Sequence, residues 1–288
     1  MITTGVSNSS INPWVISKKT EVGDVLNGES CSDVAEFPGY IFDGASVNFH
    51  GTPVVCGGCG EIFTTYSQNC YRFNDFGWQE FATMKDKRGH AAGVMYKDKF
   101  HVFGGGDLAN GIVFQTSEII SIDGQVEYGP DLPTGVFAHK ITAINATVSI
   151  LSGGFTNVTN YSPLTWYFNH ETAVFSSGPS LLEGRSTHGS AIIVDTVTKA
   201  KIVVITGGFN ITNMKSTELL INGQWQSGTI SLKTAKCLIC HGFYLYVFFA
   251  HLRTTITNRT KCLFHGFNTG RCVCLWRHYR WGTIILGY

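Results

Sequence analysis

Short apolar runs that end in paired glycines recur along most of the chain. Val54-Val55-Cys56 leads into Gly57-Gly58, and His101-Val102-Phe103 leads into Gly104-Gly105. Residues 149–152 lead into Gly153-Gly154, and residues 203–206 lead into Gly207-Gly208. The steps between the first glycines are 47, 49 and 54 residues. Runs this short, apolar at consecutive positions, predict strands buried on both faces. The second unit shows what surrounds such a strand. Residues 90–96 form an apolar strand that ends at the turn Lys97-Asp98, and residues 99–103 are the buried strand. A polar loop follows, then residues 117–122 alternate with period two. Asp123-Gly124 is a hairpin turn signal, and residues 125–129 complete a fourth strand. No three-four spacing is sustained between residues 40 and 232, so no helix is expected there.

Other markers keep the period. His90, His139 and His188 are 49 residues apart, as are Gly129-Pro130 and Gly178-Pro179. Trp78 and Trp225 differ by 147, three times that step. Paired glycines after a buried strand allow positive φ and close backbone approach, which larger residues forbid. The recurring residues therefore read as structural markers. The histidines carry a metal-binding alternative if they converge, but a residue repeated once per unit more commonly makes one structural contact per unit. Arg88 and Arg185, just before two of those histidines, are candidates either for binding acidic partners or for ion pairs between units.

The apolar strand, double glycine, outer-strand aromatic and Gly-Pro-x-Leu link together resemble the kelch family, over residues 44–231. The resemblance implies an all-β fold: a kelch-type β-propeller with four recognisable four-stranded blades, incomplete as it stands. Residues 1–40 form an N-terminal extension, 41–232 the blades, and 233–288 an atypical tail. Trp78 and Trp225 fill the outer-strand aromatic position, while Val126 with Tyr128 and Val174 with Phe175 stand there in the other copies. The resemblance also implies a non-catalytic protein-interaction scaffold whose partner is another protein. The recognition surface would lie in the loops after each Gly-Gly, at 59–68, 107–116, 156–163 and 210–216. The alternatives are the substrate-recognition part of a BTB-kelch ubiquitin-ligase adaptor, and a propeller oxidase or sugar-processing enzyme. No nucleophile elbow, phosphate loop or paired-carboxylate motif occurs, so no catalytic residue and no cofactor is assigned.

Composition sharpens this in three places. Net charge is +1 with no basic stripe in the repeats, which argues against nucleic acid. Six Asn-x-Ser/Thr sequons, among them Asn145, Asn157, Asn160 and Asn210, suggest glycosylation. Cys56 and Cys70 fall on neighbouring antiparallel strands and are candidates for a disulfide, with a Cys59–Cys31 pair as a further possibility. These features favour an extracellular or secreted setting, although residues 1–31 hold no apolar run of signal-peptide length; a cytoplasmic setting is the alternative. The tail departs from the repeat. All 20 acidic residues lie at or before Glu218, and no Gly-Gly follows Gly208. Residues 237–252 are apolar but interrupted by histidine, so no membrane insertion is expected. Cys237, Cys240, Cys262, Cys272 and Cys274 with His241 and His265 have zinc-ligand chemistry without zinc-ligand spacing. The tail is expected to be no continuation of the blades.

Overall fold

A computed structural model describes residues 2–7, 15–24, 29–31, 34–60, 65–156, 160–195, 197–229 and 231–233. The fold is all-β; among the described residues the only helical turn is the 3-10 segment Leu108–Asn110. Four four-stranded antiparallel sheets follow one another, each a meander in chain order. Sheet I comprises Ala45–Phe49, Thr52–Cys56, Asn69–Asn74 and Gly77–Thr83. Sheet II comprises Ala92–Tyr96, Lys99–Phe103, Ser117–Ser121 and Val126–Tyr128. Sheet III comprises Lys140–Ala143, Val148–Ser152, Thr165–Asn169 and Val174–Ser177. Sheet IV comprises Gly189–Val194, Lys201–Thr206, Thr217–Ile221 and Gln224–Ser227. The expected turns are present, with Lys97 at φ 53° and Gly124 at φ 86°. The expected tail of residues 233–288 lies outside the described residues, apart from Lys233.

The second strands of sheets II and III are apolar at consecutive positions because both of their faces are covered. Phe100 and Val102 of sheet II pack towards Val54, Cys56 and Met84 of sheet I and its exit. Phe103, on the opposite face, packs with Leu151, Trp166 and Phe168 of sheet III. Ile150 then turns from sheet III towards Ile192, Val203, Ile205 and Trp225 of sheet IV. Three apolar layers thus lie between successive sheets, and full burial of each large side chain contributes about 1.5–3 kcal/mol. The first strands of sheets I, II, III and IV also contact one another in that order.

Residues 2–31 add a separate three-stranded sheet, Ile2–Ser7, Val15–Asp24 and Glu29–Cys31. It meets the outer strand of sheet I, where Trp78 Nε1 donates to Thr20 Oγ1 at 2.8 Å. Phe37 stacks edge-on against both Tyr71 and Trp78, each at 4.9 Å.

The double glycines are where each sheet receives its exit segment. The second glycine donates its N–H to that segment: Gly58 to Arg88 O, Gly105 to Val136 O and Gly154 to Arg185 O, each 2.8 Å. A Cβ on the first glycine of each pair would collide with the same carbonyl. Both glycines also sit at positive φ, from 58° to 104° across the first three pairs. Close approach and backbone conformation therefore select glycine together.

From that anchored backbone, Arg88 reaches into the next sheet. Its Nη1 donates to Gly104 O (2.9 Å) and Thr116 O (3.0 Å), and its Nη2 to Glu118 Oε1 (2.9 Å). Glu118 closes the loop by accepting from the backbone N–H groups of Lys85 and Asp86. The same geometry recurs two units along the chain. Arg185 donates to Gly207 O (2.9 Å), Ser216 O (3.2 Å) and Glu218 Oε1 (2.6 Å). Glu218 in turn accepts from Leu182 N and Glu183 N. Both arginines are fully buried. At the intervening junction the corresponding residues are Val136 and Trp166, both in one apolar cluster. Of the two readings open for the arginines, the ion pair between units is the one found.

Breaking one partner of a buried, hydrogen-bonded ion pair typically costs about 3–5 kcal/mol. Arg88→Leu should lower stability by about that amount in urea unfolding. Arg88→Leu with Glu118→Leu should cost less than the two single changes added together, because no lone charge stays buried. Strict additivity would show that the pair does not couple the sheets.

Candidate functional site

Asp43, His90, Ala138 and Thr187 stand at the same place, before the first strand of their respective sheets. All four are non-glycine residues at positive φ: 52°, 55°, 55° and 50°. They are joined by backbone. His90 N donates to Asp43 O (2.9 Å), Ala138 N to His90 O and Thr187 N to Ala138 O (both 2.8 Å). Asp and His are among the residues that tolerate this conformation, and holding it costs about 1–2 kcal/mol per residue. The chain of hydrogen bonds offsets that cost and fixes where the side chains point.

At the first link of this chain the side chains form a Cys–His–Asp array. His90 Nδ1 lies 3.0 Å from Asp43 Oδ2, and His90 Nε2 lies 3.3 Å from Cys59 Sγ. Phe42 and Phe137 flank the imidazole, with ring centroids at 6.2 and 6.1 Å. Cys59 is 1% exposed and packs with Phe42 and Tyr66. Burial opposes charge on His90, but the hydrogen bonds and charges of Asp43 and Cys59 raise it to about 10. Burial also pushes the Asp43 carboxyl up. The His90 hydrogen bond, the His90 charge and the Lys140 charge outweigh this and hold it below the ordinary carboxylate value. Lys140, on the first strand of sheet III, is itself pushed down by burial. The result is a buried imidazole held between a carboxylate and a thiol, the chemistry of a thiol with an adjacent proton carrier.

Beside this array a shallow cleft of about 340 Å³ opens among Tyr40, Gly60, Tyr66, Ser67 and Lys87. Tyr66 separates the two, since it lines the cleft and packs on Cys59. Burial and the neighbouring Cys59 raise the Tyr66 phenol to about 12.

The other buried histidines among the described residues fill packing positions. His139 packs against Gly104 and Gly154, and His188 against Gly153 and Gly208, so each histidine residue sits between two double glycines. Both ring nitrogens of His139 lack a hydrogen-bond partner among the described residues, whereas His188 Nε2 meets Ser152 Oγ at 3.0 Å. Burial, helped by the Lys140 charge, pushes His139 down to about 3. Burial, with Arg185 and other cations, pushes His188 well below its usual value. Between sheets II and III, His170 stacks on Tyr96 and His101 meets that ring edge-on, and burial brings both histidines to about 4.

The residues singled out in the sequence fall as follows. Gly57, Gly58, Gly104, Gly105, Gly153, Gly154, Gly207 and Gly208 occupy one position per sheet and all have positive φ. The three period-marking histidines do not share a position. His90 aligns with Ala138 and Thr187, one residue ahead of His139 and His188, and it alone meets an acid and a thiol. A fixed 49-residue step hid this, because the steps between the exit residues Arg88, Val136 and Arg185 are 48 and 49. Trp78 and Trp225 both lie on outer strands but differ in contact, since Trp225 Nε1 donates to Pro179 O at 3.0 Å. Cys56 and Cys70 are direct partners across the ladder and stand at disulfide distance. Cys59 is a free cysteine, so the proposed Cys59–Cys31 pair is not formed. Asn145 and Asn160 are exposed and Asn210 is half-buried, whereas Asn157 lies outside the described residues. The tail cysteines and histidines of the zinc reading also lie outside them. Among the described residues no group of three or more His, Cys, Asp or Glu is arranged to hold a metal ion. Among them, too, no helix is long and apolar enough to cross a membrane.

No protein-family model matches the chain, and no curated protein matches it significantly.

The buried neutral histidines make stability depend on pH. His101, His139 and His170 have folded values below the unfolded value of about 6.5, so each contributes stability that is complete above that pH. It is lost as pH falls towards about 4 for His101 and His170 and about 3 for His139. Each contributes up to about 1.4 kcal/mol per pH unit within its window. His90 acts oppositely, its contribution being lost as pH rises through about 10. The urea midpoint should therefore fall between pH 7 and pH 4.5, and His101→Phe should flatten that fall. A midpoint unchanged over this range would contradict the assignment.

Proposed function

We propose that the chain is a kelch-type β-propeller protein acting as a non-catalytic scaffold for another protein. The observation that carries this reading is the contrast between frame and loops. At each junction the same atoms meet: second-glycine N–H to exit carbonyl, and entry N–H to the carbonyl of the preceding sheet's entry residue. The segments after the double glycines share no such uniformity. One forms the hairpin Gly106–Asp107 with Ile112–Val113 around the Leu108–Asn110 turn, and another the hairpin Phe209–Asn210 with Thr212–Asn213. Their tips expose apolar side chains, with Ile112 43% and Ile211 80% accessible. A rigid repeated frame with variable apolar loop tips suits recognition of a protein surface. The order in which the first strands contact one another supports a propeller arrangement of the sheets.

An extracellular or secreted setting is favoured within this reading. It is supported by the Cys56–Cys70 pair at disulfide distance and by exposed sequon asparagines at 145 and 160.

Affinity capture from the source tissue should recover a partner with the native chain. That partner should be lost, or bound about tenfold more weakly, with Ile112→Asp and Ile211→Asp together, at unchanged thermal stability (a tenfold change is about 1.4 kcal/mol). Capture that is indifferent to both substitutions would overturn the loop assignment. Turnover of a small substrate by the purified chain would favour the enzymatic alternative instead.

A further inference from the structure

We propose that Cys59 is a modification site, a buried thiol that takes one oxygen from a small hydroperoxide while His90, positioned by Asp43, handles the proton. This goes beyond the scaffold reading and stands independently of it. Three arrangements carry it. The sulfur lies 3.3 Å from His90 Nε2, and the far side of that imidazole is held at 3.0 Å by the Asp43 carboxylate. With Nδ1–H donated to Asp43, Nε2 is the nitrogen that faces the sulfur. The array spans two sheets, and the backbone bond from His90 N to Asp43 O fixes it from below. Its geometry therefore does not depend on one mobile loop.

Room for the sulfur is made by Gly89. A Cβ there would collide with Cys59 Sγ and crowd the Tyr66 ring. Tyr66 and the neighbouring Gly60 line the adjacent cleft, and Tyr66 also packs on Cys59. At 1% exposure a bulky reagent cannot reach it, which limits the reactant to a small molecule such as hydrogen peroxide. Cys56 and Cys70 are already paired with each other. Among the described residues Cys59 is thus the cysteine left for this chemistry.

The step balances without a further reagent. Cys59 Sγ attacks one peroxide oxygen, forming the S–O bond as the O–O bond breaks. The proton shared between Sγ and Nε2 leaves on the departing hydroxide as water. Sulfur loses two electrons, the peroxide gains them, and the product is a sulfenic acid. Asp43 acts as a positioning residue, because it touches His90 and not the sulfur.

The test exposes the folded full chain to dilute hydrogen peroxide, removes the peroxide with catalase, then unfolds the chain in urea with dimedone to trap any sulfenic acid, followed by peptide mass spectrometry. Cys59 should carry the adduct. His90→Asn, which tolerates the left-handed backbone, should slow labelling by about 100-fold and flatten its pH profile. Asp43→Asn should slow it less and shift that profile, whereas Tyr66→Ala should speed it by opening the cleft wall. The Cys56–Cys70 bond and the thermal midpoint report that each variant is folded. An unlabelled Cys59 after peroxide exposure of the native protein, at a peroxide dose that oxidises it in the urea-unfolded chain, would overturn the proposal. Equal rates and equal pH profiles in folded wild type and folded His90→Asn would overturn it as well.

Discussion

The structure depends on how each exit segment is tied to two sheets at once. Its carbonyl is held by the double glycine of the sheet it leaves, and its side chain enters the sheet it approaches. Arg88 does this with a guanidinium that satisfies two carbonyls and the Glu118 carboxylate together. The second contact is not available to an isolated sheet. A four-stranded meander covered on one face only would expose the second strand, whose residues are apolar on both faces. The exit segment therefore makes the pair of sheets, and not the single sheet, the stable unit, as in other repeat architectures.

Two chemical solutions fill the same position. Junctions I–II and III–IV use a buried Arg–Glu pair, while junction II–III uses Val136 and Trp166. A buried pair is sensitive to the loss of either member, and it is not inherently stronger than a packed apolar contact. What the charged version adds is direction. Glu118 accepts two backbone N–H groups from the segment that carries Arg88, so the link can dock in one register only. The apolar version relies on shape, and the interlayer there is correspondingly rich in aromatic rings, with Phe103, Phe168 and Phe175 in mutual contact.

The same scaffolding explains why polar chemistry gathers where the first strands meet. Entry residues must take a left-handed backbone conformation, which favours small or polar side chains, and they must stand close together to pass on a hydrogen bond. Asp43 and His90 satisfy both demands and pair through their side chains as well. Cys59 follows directly after its own double glycine and bridges to Phe42, so it arrives beside His90 from the neighbouring strand extension. A structural requirement of the repeat thus builds a reactive arrangement at one junction. At the other entry positions Ala138 and Thr187 carry no ionisable group.

The sequence by itself determined the all-β class, the number of strand sets and their order. Buried strands, tight turns and double glycines leave local signatures that a regular step makes legible. It also placed Cys56 opposite Cys70, because facing positions on adjacent strands follow from strand lengths and turn position. It did not reveal that Arg88 and Arg185 are ion-paired structural links, nor that His90 differs from His139 and His188. Those facts depend on which residue shares an entry position across sheets, and a one-residue difference in step is invisible to a periodic count. Only the tertiary structure brought Asp43, Cys59 and His90 together, 31 residues separating the last two. Contacts between sheets are set by packing and backbone conformation at the junctions, and neither is written in the local pattern.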